Sequence, residues 1–379
     1  MKRRIFEVEH AEFRAAFRSF LDREAVPYAR DWEAAGMVDR EFWKRAGALG
    51  YLGFEAPSEF GGLSLRDYRF NAVMVEEVVA SGTAGDGFAL HNDIVAPYLL
   101  DICSPEQRAR WLPGFVTGHT LTAIAMTEPD AGSDLARIGT TAVVDGDHLV
   151  LNGTKTFITN GFTADLIFVL ARTGENAGRG QTLVAVERGS AGLSRGTPLR
   201  KIGRMAQDTA EIFLDDCRVP LANIVGTPGA ALDIIKKNLP RERLSIAVGA
   251  VAAAERALQL AVEYARQRRT FGKPIAEHQV VLHQLAELHT AIQVARSHID
   301  NCIVEFNAGE LSAADAAGAK FWATDLEGSV TDRALQMFGG YGYMEEFPIG
   351  RMWRDARVQR IYGGANDILK DVVGRALIR

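Results

Sequence analysis

The chain has 379 residues, of which 47% are hydrophobic and 24% are charged, so it is long enough for two or three domains with substantial cores. This composition excludes a disordered chain, a collagen-like fibre and a small disulfide-stapled domain. The 43 Lys and Arg residues and the 48 Asp and Glu residues leave a net charge of −5. The overall charge therefore gives no attraction to nucleic acid or to an anionic membrane.

The number and spacing of the cysteines indicate a reducing compartment. Cys103, Cys217 and Cys302 are far apart, and none belongs to a Cys-x-x-Cys pair. An odd number at such spacing is typical of a reducing compartment and argues against a disulfide framework or a thiolate metal site. Because no apolar segment of the secretory type follows the basic start, we expect a soluble protein of the cytoplasm.

Residues 1–119 predict a helical domain. Phe13, Phe17 and Phe20 recur with the spacing of one helix face. Ser64 and Asp67 have the spacing of a capping box before the next apolar segment. Further along, the Ser104-Pro105 pair is typical of another helix start.

Residues 120–228 predict a β domain. Short runs rich in β-branched residues alternate with the dipeptides Asp145-Gly146, Asn152-Gly153 and Asn160-Gly161, which supply the positive φ of tight hairpins. Strand follows strand with no helix between them, so we expect an antiparallel sheet or a small barrel rather than a doubly wound fold.

Residues 229–379 predict a helical bundle. Long amphipathic segments cover residues 247–266, 276–307, 312–337 and 366–378. The longest weakly polar run, residues 244–254, is shorter than the ~20 residues that span a bilayer, so no membrane segment is expected. The fold class is thus α+β in three domains: helical, β and helical.

Several common catalytic patterns are missing from the sequence. It contains no Gly-x-Gly-x-x-Gly after a predicted strand, no P-loop and no Gly-x-Ser-x-Gly. His278, His283 and His289 are five and six residues apart, which puts them on different faces of a helix. These absences disfavour NAD, ATP, serine-hydrolase and metal chemistry, and we predict no metal ligands.

Three groups of motifs carry a resemblance. The first is the segment Met126–Asp134 with Phe157–Gly161, the second is Arg268–Gln279, and the third is Gln336–Gly340 with residues 361–367. By these motifs the chain resembles the acyl-CoA dehydrogenase family over essentially its whole length, most closely the long-chain branch. The resemblance implies an FAD enzyme that oxidises acyl-CoA thioesters to trans-2-enoyl-CoA. It also implies an electron-transferring flavoprotein as partner and a homotetramer built as a dimer of dimers.

The resemblance assigns the flavin ring to the middle domain. It implies that Met126 and Thr127 lie along the pyrimidine edge, that Ser133 lies near the FAD pyrophosphate and the CoA, and that Phe157 stacks on the ring. The hydroxyl and amide of Thr159 would meet flavin N5 and O4. Considered singly, the first motif would favour a simple Gly/Pro turn and Phe157 a core residue, but the motifs in series favour the flavin site.

The resemblance assigns a neighbouring subunit's FAD to the C-terminal motifs. The implied cofactor residues are Arg268, Thr270, Phe271, Gln279, Gln336, Gly339 and Gly340. A guanidinium suits a pyrophosphate because its fork donates two charge-assisted hydrogen bonds, although an arginine at a helix end is also favoured by the helix dipole. Ala365 and Asp367 replace Thr and Glu or Gln of the family near the FAD phosphates, and these departures could weaken cofactor retention.

The implied catalytic base departs from the commoner family pattern. Most members carry the glutamate in Tyr-Glu-Gly-Thr, and here that segment reads Tyr362-Gly363-Gly364-Ala365. A minority carries it near the start of the first long C-terminal helix, where this chain has Glu242. The resemblance also implies that Arg243 orders this helix start near the substrate, and that the Gly363 N–H donates to the thioester carbonyl.

The residues themselves leave alternatives open at Glu242. A first-turn glutamate beside Pro240 is also typical of a side chain placed for the helix dipole. The dipole would favour the ionised carboxylate, whereas burial against an acyl chain would raise its pKa, and we expect burial to dominate. A flavin oxidase or monooxygenase on the same fold, and a catalytically silent flavoprotein that binds acyl-CoA, are the alternative functions.

Overall fold

The N-terminal part of the chain is helical. The computed structural model describes residues 3–83, 86–173 and 180–378. Its first helices are α1 (Val8–Glu24), α2 (Ala29–Ala35), α3 (Arg40–Ala48), α4 (Tyr68–Ser81), α5 (Asp86–Ala89, followed by the π-helical segments Leu90–Val95 and Tyr98–Ile102) and α6 (Pro105–Val116). The three predicted aromatic residues of α1 are buried or partly buried on the face that packs into an aromatic core.

The predicted helix starts are confirmed at α6 and corrected at α4. Ser104 caps α6 as half of a reciprocal capping box with Gln107. At α4, Asp67 itself is the capping residue, because its carboxylate accepts from the backbone N–H of Arg69. The predicted capping box from Ser64 is therefore wrong. Ser64 has a φ of 55° and belongs to the preceding turn.

The middle domain is one twisted sheet. Its strands are β1 (Thr122–Ala125), β2 (Thr141–Asp145), β3 (His148–Thr159), β4 (Leu166–Arg172), β5 (Gln181–Glu187), β6 (Leu193–Arg195), β7 (Thr209–Pro220) and β8 (Ile224–Val225). They follow the order β6-β7-β3-β2-β4-β5-β8, with β1 beside β4. Within the described strands this path has two ends, so the sheet is not a closed barrel.

The prediction of a wholly antiparallel sheet is wrong at two contacts. Strand β4 pairs in parallel with β1 and, at one residue pair, with β2. The connection between β1 and β4 explains their parallel pairing. Between these two strands the chain forms the whole β2–β3 hairpin, and it then enters β4 in the direction in which it ran along β1. The remaining pairings in the sheet are antiparallel.

One of the three predicted hairpin turns is confirmed, the second is a turn outside a hairpin, and the third is a bulge. Gly146 makes the tight turn between β2 and β3. Asn160 has the predicted positive φ, 59°, just after β3, but β3 and β4 on either side of it do not pair. Gly153 instead lies inside β3 at a register shift. A Cβ there would lie 2.4 Å from Thr140 Oγ1, so only glycine fits. The bulge lets β3 continue to Thr159, where it still pairs with β7.

The C-terminal part is a helical bundle with a small hairpin. Its elements are α7 (Ala231–Gln267), β9 (Arg269–Thr270), β10 (Lys273–Pro274), α8 (Gln279–Ala308), α9 (Ala313–Phe338), α10 (Pro348–Gln359) and α11 (Asn366–Leu377). The centre of the bundle is alanine-rich: Ala247, Ala250 and Ala254 of α7 and Ala319 and Ala323 of α9 are fully buried in one cluster. These small side chains let α7 and α9 approach closely.

The start of α7 corrects the prediction for Glu242. The helix begins at Ala231, and Pro240 lies inside it rather than at its first turn. Glu242 is therefore an interior residue of the helix. Because the helix dipole acts mainly within the first turn, it does not stabilise the Glu242 carboxylate. Pro240 has no N–H for the carbonyl one turn earlier, so the backbone hydrogen bonding of α7 is interrupted just before Glu242.

Helix α7 also carries the most apolar long segment in the described chain. By length and composition it could span a membrane, but 67% of that window is buried inside the molecule, which is the pattern of a core helix. Cys103, Cys217 and Cys302 are buried free thiols.

Candidate active site

A glycine turn lies against α7 at Glu242. The turn contains Gly363 and Gly364, with φ of 63° and 94°, and it connects α10 to α11. A Cβ placed on Gly363 would lie 3.7 Å from Glu242 Oε1 and 2.3 Å from Ile246 Cδ1. The carboxylate of Glu242 therefore occupies the space beside the point where a side chain of residue 363 would begin. The two predicted catalytic residues are neighbours, although 121 positions separate them in the sequence.

Burial and charge act on the Glu242 carboxyl in opposite directions. Burial raises its pKa above the ordinary value, while the positive charges of Arg243 and Lys320 lower it. The pKa of Arg243 is itself lowered by burial. Its Nη2 lies 3.8 Å from the position of a Cβ on Gly364, and its buried Nε has no hydrogen-bond partner among the described residues. The guanidinium thus faces the glycine turn, and its Nε–H remains available as a hydrogen-bond donor.

Sequence reasoning missed Lys320. This lysine of α9 is fully buried, and its Nζ donates to the Gly364 carbonyl oxygen at 2.9 Å and to Asn366 Oδ1 at 3.0 Å. A signal was present in the sequence, because Lys320 interrupts an alanine-rich helix face with a charged group. Lysine is almost never fully buried without a specific reason.

The loop after β1 is fixed to β3. The Met126 carbonyl accepts from Lys155 Nζ at 3.1 Å, and the Thr127 carbonyl accepts from the Thr156 N–H at 2.9 Å. Lys155 is fully buried and also donates to Glu128 at 2.7 Å. Two predicted flavin residues therefore have a rigid backbone, whereas Ser133 lies further along the loop and is exposed. Sequence reasoning did not identify Lys155.

Phe157 is not a core residue. Its side chain is 69% exposed, and its φ is 58°. Positive φ is strained for a bulky residue and persists only where the surrounding structure imposes it. Here the register shift between Lys155 and Ile158 imposes it. The ring is thus held at the surface two residues before Thr159, which excludes the core interpretation and fits a planar ligand.

Five predicted cofactor residues share one cavity. A cavity of about 530 Å³ at the end of α9 is lined by residues that include Arg268, Thr270, Gln336, Gly339 and Gly340. The Arg268 guanidinium lies 5.9 Å from the centre of the Tyr341 ring. Cation, ring and glycine backbone together fit the phosphate and adenine parts of a nucleotide.

The other predicted cofactor residues lie outside this cavity. Phe271 is 96% exposed at the tip of the β9–β10 hairpin, and Gln279 is exposed at the start of α8. Ala365 and Asp367 lie at the start of α11, where Asp367 is within 3.9 Å of Lys370. None of these four residues lines the cavity.

One group of possible metal ligands lies at the start of α1. Single ligand atoms of Glu7, Glu9 and His10 lie within 4.8 Å of one another. His10 Nδ1, however, accepts from the Glu7 backbone N–H at 3.1 Å as part of the helix cap. This group has no connection with the residues predicted for the site.

Comparison with known proteins defines the class. The N-terminal, middle and C-terminal domain models of acyl-CoA dehydrogenase match residues 7–119, 123–217 and 231–378. The protein is thus an FAD-dependent oxidoreductase that acts on acyl-CoA thioesters. In particular, the chain belongs to the acyl-CoA dehydrogenase family.

Three relatives illustrate the similarity. The mitochondrial long-chain specific acyl-CoA dehydrogenase of Sus scrofa is 43% identical over 99% of this chain and 88% of its own. The crystal structure of an acyl-CoA dehydrogenase from Geobacillus kaustophilus is 44% identical with a TM-score of 0.97, and the match covers 99% of this chain and 100% of that one. An acyl-CoA dehydrogenase from Bacillus anthracis complexed with FAD is 30% identical with a TM-score of 0.93, covering 99% and 67%.

Proposed function

We propose that the protein dehydrogenates acyl-CoA thioesters to trans-2-enoyl-CoA, with Glu242 as the base that removes the α-proton. One observation carries this proposal: Glu242 Oε1 lies 3.7 Å from the position of a Cβ on Gly363, where most of the family carries its glutamate. The carboxylate thus reaches the same space from α7. Among the relatives, the long-chain specific enzyme supports this branch.

The environment of Glu242 suits proton abstraction. A general base is most effective when its pKa is near the working pH, and burial raises the pKa of Glu242 toward that range. The charges of Arg243 and Lys320 oppose this rise and keep the carboxylate available in its ionised form. As the Cα–H bond breaks, its proton moves to Glu242, and its electron pair is shared between Cα and the thioester carbonyl.

The glycine turn can stabilise that developing charge. A backbone N–H at Gly363 is a donor that does not depend on a side chain, and a donor aimed at an enolate-like oxygen lowers the barrier. The positive φ of Gly363 and the closeness of Ile246 explain why glycine occupies this position. We assign the Gly363 N–H to the thioester carbonyl and the Arg243 guanidinium to ordering the turn around the substrate.

The described residues fit FAD in two places. We assign Met126, Thr127, Phe157 and Thr159 to the isoalloxazine ring and Ser133 to the pyrophosphate and CoA. When bound, FAD accepts the hydride that leaves Cβ, so that one C=C bond forms and two electrons leave the substrate. Arg268 and the other cavity residues are assigned to the ADP part of the cofactor.

The open cavity supports an assembled enzyme. We propose a homotetramer, a dimer of dimers, in which Arg268, Phe271 and Gln279 contact the FAD of a neighbouring subunit. Exposure of Phe271 at a hairpin tip supports this assignment. An electron-transferring flavoprotein is the proposed acceptor; such a flavoprotein is the subject of a similar solved structure from Acidaminococcus fermentans. We propose a cytoplasmic location for the enzyme.

The test is an anaerobic titration of the purified FAD-loaded protein with acyl-CoAs of graded chain length. The proposal expects acyl-CoA to bleach the oxidised flavin and to yield trans-2-enoyl-CoA. Bleaching should be strongest with long chains if the long-chain relative is a guide to substrate. A flavin that no acyl-CoA bleaches would contradict the proposal and favour a silent binding protein.

A second measurement separates a dehydrogenase from an oxidase. Turnover with acyl-CoA in air should consume O2 slowly and should accelerate when an electron-transferring flavoprotein is added. Fast formation of hydrogen peroxide would instead assign the protein to the flavin oxidases. Incorporation of an oxygen atom into the product would assign it to the monooxygenases.

A further inference from the structure

Lys320 is a buried cation without a carboxylate among its hydrogen-bond partners. It lies in the middle of the alanine-rich face of α9 and is 0% exposed. Both of its acceptors, the Gly364 carbonyl and the Asn366 side-chain carbonyl, are neutral. Burying an ammonium ion is unfavourable unless other groups compensate for the lost hydration, so a purely packing role would be better filled by an apolar residue.

The two hydrogen bonds of Lys320 hold the glycine turn. Gly364 directly follows Gly363, and Asn366 is the first residue of α11, so the ammonium fixes both sides of the short segment between them. Asn366 is held in turn, because its Nδ2 donates to Thr324 Oγ1 and to Asp325 Oδ1, each at 3.0 Å. The turn is therefore tied to α9 rather than only to its own flanking helices.

The charges around Lys320 come from two elements. Helix α7 contributes Glu242 and Arg243, and α9 contributes Asp325, whereas Asn366 of α11 is a neutral hydrogen-bond partner. Burial and the Arg243 charge lower the pKa of Lys320, Glu242 and Asp325 act in the opposite direction, and together these effects leave it at about 8. The influence is mutual, because the Lys320 charge also favours the ionised form of Glu242.

Two neighbouring groups complete the electrostatic surroundings. Arg360, near the end of α10, lies 3.4 Å from Asp325 and so partly neutralises that carboxylate. Tyr98, in the second π-helical segment after α5, faces Glu242, and burial together with the Glu242 charge raises the pKa of its hydroxyl. Neither group makes a hydrogen bond to Lys320 that could replace its contact with the turn.

We propose that Lys320 is a positioning residue for the dehydrogenation, which fixes the Gly363–Gly364 turn beside Glu242. This inference rests on the proposed function of Glu242. Lys320 acts through two other groups, because its ammonium contacts the turn that presents the Gly363 N–H, and its charge acts on the Glu242 carboxylate. One buried cation thus couples the proton acceptor to the group that stabilises the carbonyl oxygen.

The test compares Lys320→Met, Lys320→Gln and Thr324→Val in FAD-loaded protein. The methionine variant keeps the length of the side chain without charge or donors, and the glutamine variant removes the charge but keeps an N–H donor. Thr324→Val is the matched control, because it removes a buried hydrogen bond from the same cluster and leaves the Lys320 charge in place. The readout is the pH dependence of flavin reduction by acyl-CoA in stopped flow.

The two neutral variants should shift the acid limb of the rate profile to higher pH. Removing the positive charge raises the pKa of Glu242, and the base works only when ionised, so a higher pH is needed for the same rate. In Lys320→Met the plateau rate should also fall, by up to ~10²-fold if the turn moves by about 1 Å. Thr324→Val should leave the acid limb in place.

The failure of this inference is distinguishable from failure of the proposed function. An unchanged acid limb in both neutral variants would overturn the role of Lys320, even if Glu242→Gln abolishes reduction. An equal shift in Thr324→Val would overturn it as well, because the effect would then come from packing. Should Lys320→Met fail to fold, Lys320→Gln decides the question. Normal reduction in Glu242→Gln would instead remove the base on which the inference rests.

Discussion

The two glycine-rich parts of the site differ in how complete they are within one chain. The turn at Gly363 is enclosed by Glu242, Arg243 and Lys320, and these three residues are buried or partly buried. The cavity at Gly339 and Gly340 is open, and the hairpin beside it carries a phenylalanine that is almost fully exposed. Both parts contain glycine backbone, but only the turn at Gly363 is enclosed by side chains of the same chain.

This difference separates two tasks. Proton transfer depends on the pKa of one carboxylate and on its position, and both are set by packing within the α7–α9–α11 cluster. Retention of a cofactor depends on contact area and charge, and a second chain can supply either. We therefore expect substitutions at the enclosed turn to change rates and substitutions at the open cavity to change FAD binding.

The largest expected effect comes from moving the base. Glu242→Thr should reduce the rate of flavin reduction by about 10²–10⁴-fold, the usual contribution of a positioned general base. Adding Gly363→Glu should restore part of that loss, because its side chain begins within 3.7 Å of the position that Glu242 Oε1 occupies. The measurement is single-turnover stopped flow with each variant.

The limits of this rescue are also set by the structure. The new Cβ would lie 2.3 Å from Ile246 Cδ1, and the φ of 63° is unfavourable for a side chain. Adding Ile246→Val should therefore improve the rescue further. Complete absence of rescue in both variants, with normal FAD content and ligand binding, would mean that the two positions do not share one space.

A smaller effect is expected at the open cavity. Arg268→Gln should weaken FAD binding by roughly 10–100-fold, because a hydrogen bond to a charged group contributes ~1.5–3 kcal/mol. The neighbouring exposed Arg266 does not line the cavity, so Arg266→Gln is the matched control. Equal FAD affinities for both variants, measured by flavin fluorescence on dilution, would contradict the assignment of Arg268.

The smallest effect concerns stability. The folded-state pKa of Glu242 is raised, so the folded chain binds its proton more tightly than the unfolded chain does. Stability therefore falls as pH rises from the unfolded value through the folded pKa, and the full penalty remains above it. Glu242→Gln should melt at a higher temperature than the unsubstituted protein at alkaline pH.

The pH dependence of that difference provides its control. At acidic pH, below the ordinary carboxyl pKa, both states carry the neutral acid and the two melting temperatures should converge. The comparison requires equal FAD saturation, because bound ligand also raises the melting temperature. A difference in melting temperature that is constant with pH would indicate a packing effect of the substitution rather than a buried charge.

Much of the fold could be predicted from the sequence. The order of helical, β and helical parts is carried by periodicity and turn dipeptides, which are local signals, and the structure has this order. The errors arose where a local signal has two structural meanings. The proline before Glu242 predicts a helix start but lies inside α7, and Asn152-Gly153 predicts a turn but forms a bulge.

The site was predictable only in part. The motifs predict Glu242 and Gly363. The glutamate of the commoner family segment is missing at Gly363, and a glutamate is present at the alternative family position, residue 242. Lys320 and Lys155 were not identified, because their roles depend on which distant backbone carbonyls tertiary packing places beside them. The strained exposure of Phe157 also depends on a register shift against β7 that no local pattern reveals.

The most direct test of the account is the rate of flavin reduction in Glu242→Gln. The substitution preserves the shape of the side chain and removes the proton acceptor, and Glu263→Gln on an exposed position of the same helix is the control. With FAD content and acyl-CoA binding unchanged, we expect reduction to fall by at least ~10²-fold in Glu242→Gln and to remain normal in Glu263→Gln. Near-normal reduction in Glu242→Gln would contradict the central claim that Glu242 is the base.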